Sequence, residues 1–270
     1  MKYRKSTLIV FFIFILGFLV MMYPSLSNYW NSLNQTQAIM EYEDALSYLS
    51  EEDFEMKFKK ADEYNRKLME LSSPLIDYKK IEGSSDILNI YNNSVIGYIE
   101  IEKIKLKLPI YYGTSKEVLN MAVGLLEGSS FPAGSKSSHT VLSAHRGLPS
   151  AELFTHIDSL KKGDYFSITI LNKKFIYEVD QIMSIEPTDT EPLSIVKGKD
   201  YCSLITCTPY GINTHRLVIR GMRNDEAKHN SMKYGQDNIF SIDLVIILVI
   251  CGLLLSTILV LVFLFKRKNE

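Results

Sequence analysis

The stretch "SLITCTPYGINTHRLVIRG", residues 203–221, decides the fold. Ser203, Ile205 and Cys207 alternate with Leu204 and Thr206, a period of two that marks a strand. Pro209, Gly211 and Asn213 then supply turn chemistry, and a second apolar run starts at His215 and Arg216. The chain must fold back there, so the second run returns antiparallel beside the first and brings Cys207 and Arg216 near one end of two neighbouring strands. The turn is longer than a two-residue hairpin, which leaves the register open.

Working outward, the same texture extends back to Val95. Strands are expected at "VIGYIEI" (95–101), "KLKLPIYY" (105–112), "HTVLSAH" (139–145), "YFSITIL" (165–171), "KFIYEVDQIMSI" (174–185), "YCSLITCT" (201–208) and "HRLVIRGM" (215–222). Gly, Pro, Asn and Asp separate them. Short helical pieces are expected at Ser115–Val123 and Ala151–Leu160. Many short strands with few helices predict a mainly β protein built as a closed antiparallel barrel. Before the barrel, residues 34–71 are charged, free of Gly and Pro, and carry Ala38, Tyr42, Ala45, Leu46 and Leu49 at helical spacing. Ser50, followed by Glu51, Glu52 and Asp53, is a start signal for a second helix. This predicts a helical hairpin.

Both ends of the chain are apolar. Ser6–Tyr23 follows Lys2, Arg4 and Lys5, and Leu244–Phe265 precedes Lys266, Arg267 and Lys268. About 20 apolar residues cross a bilayer, so the second run suffices and the first sits at the lower limit. Basic outer flanks put both termini in the cytoplasm and the residues between the two runs outside the cell, against the membrane lipid. The first run also has the features of a signal peptide, but "MMYPSLSNYW" offers no small-x-small cleavage site, which favours an uncleaved anchor. The formal net charge is −1, with basic and acidic residues interleaved, so no nucleic-acid partner is expected. Of three cysteines, Cys251 lies in the second apolar run, and Cys202 and Cys207 point to opposite faces of one strand and cannot pair.

A thiol at a strand end can reach a cleft, but at a pKa of about 8.5 it needs a cationic or basic neighbour to act as a nucleophile. Cys207 therefore divides between a buried structural role and chemistry. Arg216 tilts the choice, because a permanent cation favours a thiolate and donates to an oxyanion; its other role would be a rim ion pair. Among five histidines, His145 sits at a strand-to-loop junction. His139 begins that strand, His156 falls in the expected helix, His229 lies in a polar stretch, and His215 opposes Arg216 by parity. His145 is therefore the candidate base by elimination and position; a strand-end histidine that is only solvated is the other reading. No metal-binding Cys/His spacing, Walker A motif or dinucleotide loop occurs, so neither a metal nor a cofactor is expected.

"SAHRG", "LITCTPYG" and "THRLVIRG" resemble the active-site segments of sortases, membrane-bound cysteine transpeptidases of Gram-positive bacteria. "GYIEI", "LPIYYGTSKEVL", "GLLEGSSFPAG" and "HRGLPSAELFTHIDSLKKGD" are similar to that family in the same order, over most of residues 73–223. The helical N-terminal region and C-terminal apolar run resemble class C sortases, which polymerise pilins. The resemblance implies a sortase-type barrel, with Cys207 as nucleophile, His145 as its protonation partner and Arg216 stabilising the oxyanion. It implies cleavage of an LPXTG-like signal between Thr and Gly, a thioacyl-enzyme, and transfer to a pilin lysine. A sortase that attaches surface proteins to peptidoglycan, and a silent scaffold that binds sorting signals, are the alternatives. Class C enzymes also carry a lid with an Asp-Pro-aromatic motif, its acid against the arginine. "SSPLIDY" offers Asp77 and Tyr78 without the intervening proline, and an ordinary connector is the other reading. The organisation this gives is a transmembrane helix or signal anchor at 1–23, a helical membrane-proximal region at 24–71, a lid-like loop and connector at 72–94, the catalytic barrel at 95–223, a polar tether at 224–240, a transmembrane helix at 241–265 and a basic tail at 266–270.

Overall fold

A computed structural model describes residues 2–83, 86–90 and 94–224, together with residues 226 and 252. The chain divides into Met1–Lys233 and Tyr234–Glu270. All but residue 252 of the apolar run expected over 241–265, the basic tail and nearly all of the tether lie outside the described residues.

Helix α1 (Lys2–Leu46) runs unbroken through Pro24. The helix does not break at the boundary expected at Tyr23. Its part from Phe12 onward is long and apolar enough to cross a membrane. Helix α2 (Glu51–Met69) starts where the acids after Ser50 place it. Ser50 accepts from the Asp53 amide, and the Asp53 carboxylate accepts from the Ser50 amide, closing a capping box. Phe54, Phe58, Ala61, Tyr64, Asn65 and Leu68 form its buried stripe at helical spacing. A single turn, α3 (Pro74–Asp77), follows.

Eight strands among the described residues close into a barrel: β1 (Val95–Ile101), β2 (Leu106–Tyr112), β3 (Val123–Leu125), β4 (Ser138–Ser143), β5 (Tyr165–Ile170), β6 (Lys173–Ile185), β7 (Asp200–Thr208) and β8 (His215–Arg223). The order around the barrel is β1-β2-β3-β4-β7-β8-β6-β5. The closed barrel stands as expected, with two differences. It is predominantly rather than wholly antiparallel, because β2–β3 and β4–β7 pair in parallel. It also contains β3, three residues long, which is too short to show an alternation. The helical piece before it is a single turn, α4 (Lys116–Leu119), capped by Ser115. The helix expected at 151–160 is replaced by turns and one 3-10 turn at Ile157–Ser159. Ala151, Leu153, Phe154, Ile157 and Leu160 are buried there, so apolar spacing that suggests a helix instead anchors an irregular loop to the core.

The barrel has two apolar layers at β7. Cys202 and Leu204 point inward, to the main core. Ile205 points outward and joins Val141, Ile185, Leu193 and Val218, with Leu75 of α3 packed against them. The outer layer carries the site.

Candidate active site

Three adjacent strands put His145, Cys207 and Arg216 at one end of the barrel. Strands β7 and β8 pair in the register Cys207 opposite Arg216, and Ile205 opposite Val218. Directly opposed residues point to the same face, so Cys207 and Arg216 share the outer face with the Ile205–Val218 pair. Strand β4 runs parallel to β7, with Val141 opposite Ser203 and Ser143 opposite Ile205. β4 ends at Ser143, and His145 follows two residues on, at the end of the ladder where Cys207 lies on β7. The end of that ladder is tied down twice: the Ala144 amide donates to the Ile205 carbonyl at 3.2 Å, and the Thr206 hydroxyl donates to the Ala144 carbonyl at 2.8 Å.

Cys207 is half-buried, whereas Cys202 is fully buried. Burial, reinforced by the nearby Asp200 carboxylate, pushes the Cys202 thiol well above its ordinary pKa. His145 is also half-buried, and burial holds its imidazole below the usual histidine range, so it is neutral at neutral pH. The Arg216 guanidinium donates through Nη1 to the carbonyls of His215 at 3.1 Å and Asn213 at 3.3 Å. Those bonds tether the cation to its own turn and leave its other donors for a ligand. A half-buried thiol, a neutral imidazole and a fixed cation suit acyl transfer: nucleophile, proton carrier and oxyanion donor.

Other histidines separate cleanly. His156 and His215 are exposed, the His215 ring lying 2.9 Å from the hydroxyl of its neighbour Thr214; His229 lies outside the described residues. His139 is buried; its Nδ1 lies 3.0 Å from the Ser194 carbonyl and its Nε2 2.8 Å from the Ser203 hydroxyl. Since a carbonyl only accepts, Nδ1 carries the proton and Nε2 accepts from Ser203. This ring pins the β6–β7 connection, whose Leu193 covers the outer apolar layer.

Residues that sequence reasoning passed over hold the two loops of the site together. Tyr210, in the turn after Cys207, lies over Arg146, ring to guanidinium at 5.8 Å. It packs so closely on Gly147 (φ +70°) that a Cβ there would come within 2.8 Å of the ring. Arg146 is ion-paired with Asp158, and the Gly147 amide donates to Thr155 Oγ1 at 3.1 Å. The Arg-Gly of "SAHRG" is the signal that would have found this contact, because glycine at positive φ permits close approach.

Asp77 and Tyr78 sit on the segment that covers the outer layer from above. In place of the acid–arginine contact that the resemblance implies, Asp77 pairs with Lys80 at 2.8 Å. Tyr78 packs against the main core. The segment seats itself on Gly128 (φ +83°), where a Cβ would meet the Pro74 carbonyl at 2.7 Å and Leu75 Cα at 2.8 Å.

Comparison with known proteins places this barrel in a family. The sortase domain family model matches residues 99–224. A sortase C of Streptococcus pneumoniae, whose structure was reported for its insights into catalysis and pilin substrate specificity, is 41% identical, with a TM-score of 0.61 over 70% of this chain and 96% of that one. A sortase C of Clostridium perfringens, solved with its C-terminal cell wall sorting motif, is 43% identical, with a TM-score of 0.63 over 70% of this chain and 99% of that one. Sortase D of Bacillus subtilis is 31% identical over 47% of this chain, and the match spans 63% of that relative's length. The chain belongs to the sortase family, and its structural neighbours are class C sortases.

Proposed function

We propose that this protein is a membrane-anchored class C sortase that joins pilin subunits through a thioacyl intermediate. The single observation that carries the reading is the meeting of His145, Cys207 and Arg216 at one end of β4, β7 and β8, on a face roofed by the Pro74–Tyr78 segment. In the first step, Cys207 Sγ, its proton passed to His145, attacks the Thr carbonyl of an LPXTG-like signal. The oxygen gains negative charge, and Arg216 donates to it. The Thr–Gly C–N bond then breaks, His145 gives its proton to the leaving glycine amine, and a thioester to Cys207 remains. In the second step a pilin lysine, deprotonated through His145, attacks the thioester; the C–S bond breaks and Cys207 recovers its proton. The product is an isopeptide bond, with no net oxidation or reduction.

The segment 72–80 acts as the lid in this reading. Asp77 and Tyr78 are its candidate lid residues, with Asp77 free to exchange Lys80 for Arg216. Helix α1 is the anchor, which holds the barrel on the outer side of the membrane.

The test uses the full chain in vesicles with an LPXTG-type peptide and a lysine-bearing pilin, followed by mass spectrometry. Expected are a thioacyl adduct on Cys207 and isopeptide-linked pilin, both absent in Cys207→Ala. Adduct and hydrolysis without pilin ladders, even with several pilins, would reject the polymerase and leave a surface-attaching sortase. No adduct even after removal of residues 72–80 would reject an enzyme.

A further inference from the structure

Two side chains of the anchor helix grip the loop that follows His145. Asn28 Oδ1 accepts from the Glu152 amide at 2.9 Å, and Asn31 Nδ2 donates to the Ser150 carbonyl at 2.7 Å. Three positions apart, the two amides lie on one face of α1, and they hold the backbone on either side of the buried Ala151. The loop is stiff from there back to the site. The Ala151 amide donates to the Leu148 carbonyl at 3.3 Å, and the Phe154 amide to the His145 carbonyl at 3.0 Å; Leu153 and Phe154 are buried. Its tip is not: Pro149 and the Glu152 side chain face outward.

The same helix fixes how high that tip stands. Phe12, Ile13, Leu16, Leu19 and Val20 are all more than half exposed, so most of the described part of the apolar run is uncovered, and Met22, next to its end, is buried. Beyond it, Leu26, Tyr29 and Trp30 remain exposed, and tryptophan and tyrosine collect at the membrane–water interface. Asn28 and Asn31 lie five and eight residues past Tyr23, the end of the run, which is about 8–12 Å along a helix. The headgroup layer extends about 5–8 Å beyond the hydrocarbon on each side. The gripped loop therefore stands at the outer edge of the headgroups.

We propose that the tip of the loop between Gly147 and Leu153 docks on the lipid bilayer surface, held there by Asn28 and Asn31, so that the site opens at headgroup level. The partner is the membrane surface itself, and the two asparagines are positioning residues that set the height of the loop leaving His145. The proposal rests on the reading of α1 as the anchor, but not on the chemistry at Cys207.

The chain's single tryptophan makes the height measurable. In full-length protein in phosphatidylcholine–phosphatidylglycerol vesicles, Trp30→Phe with Pro149→Trp moves that fluorophore to the loop tip. Trp30→Phe with Tyr48→Trp moves it to an exposed site just past the end of α1, whose last residue, Leu46, lies about 22 Å further along the helix axis than Asn31. A lipid carrying a nitroxide on its headgroup should quench the loop-tip probe several-fold more than the Tyr48 probe. Glu152→Trp serves as a second tip probe, so a folding defect in one variant does not decide the matter. Equal quenching at tip and control, or none at the tip, overturns the proposal. Adding Asn28→Ala and Asn31→Ala should lower tip quenching, and an unchanged value removes the asparagines from it. Neither readout needs turnover, so loss of the transpeptidase reading and loss of this one are told apart.

Discussion

Cys202 and Cys207 lie on one strand and meet opposite fates. Cys202 points into the barrel, where burial and Asp200 suppress its ionisation; Cys207 points outward at the strand's end beside Arg216. Reaction with iodoacetamide at neutral pH should therefore label Cys207 and spare Cys202, read by peptide mapping of the native protein. Labelling of Cys202 at a comparable rate would mean that the barrel opens there. His139 makes a second residue-scale prediction. Burial, aided by the Arg220 cation and opposed by Ser194 and Asp180, lowers its pKa from 6.5 to about 4. The folded state thus binds its proton later than the unfolded chain does. Stability is intact above pH 6.5 and falls as pH drops from there toward 4, by about 3 kcal/mol over the window. Denaturant titrations at pH 7.5 and 4.5 should show that loss, and His139→Gln, already neutral, should lose about that much less; equal losses would remove His139 from the effect. Of these residues, Cys207 and Arg216 were legible in the sequence because a local turn joins them. His145 was legible by position alone. The partners of His139 were not, because Ser194 and Ser203 reach it through a connection whose path no local pattern records.

At the scale of elements, the β4–β7 ladder decides whether a site exists. A hairpin can bring Cys207 to Arg216, but only a parallel pairing across 62 residues brings the end of β4 to the same level. Alternation marks a strand and says nothing of its neighbour, so the seven expected strands appeared in the structure while the two parallel pairings stayed hidden. The same limit applies to 151–160, whose buried apolar residues fit a helix as well as the loop they form. The cover over the outer layer is testable at this scale. Leu75 packs on the group formed by Val141, Ile185, Leu193, Ile205 and Val218. Truncating a partly buried leucine costs about 1 kcal/mol of that contact, enough to raise the uncovered population roughly fivefold. Leu75→Ala should therefore speed alkylation of Cys207 by about that factor, while alkylation of denatured protein stays the same. An unchanged native rate would mean that α3 does not shield the thiol.

For the whole molecule, helix α1 is part of the barrel's own hydrogen bonding. Tyr42 is fully buried. Its hydroxyl donates to the Ile96 carbonyl at 3.0 Å and accepts from the Leu171 amide at 2.7 Å. Ile96 lies at the bulge in β1, and Leu171 in the turn between β5 and β6, so one phenol bonds backbone groups of both segments. The periodicity through Ala38, Tyr42 and Ala45 announced a buried face on this helix, but not that its tyrosine completes the sheet. Along the same helix, Gln35 donates to the Met121 carbonyl at 2.8 Å, ahead of β3, and Asn31 and Asn28 reach the His145 loop. Helix and barrel should accordingly unfold together. Tyr42→Phe keeps the ring and removes only the hydroxyl, leaving a buried amide and a buried carbonyl without that partner; the cost is about 1–3 kcal/mol for such a group. Denaturation of full-length protein in detergent micelles should show a single transition, shifted down by that amount, with barrel tyrosine fluorescence and helical circular dichroism still moving in step. A variant that instead unfolds in two steps, helix first, would show that α1 is merely attached to a barrel that is stable without it.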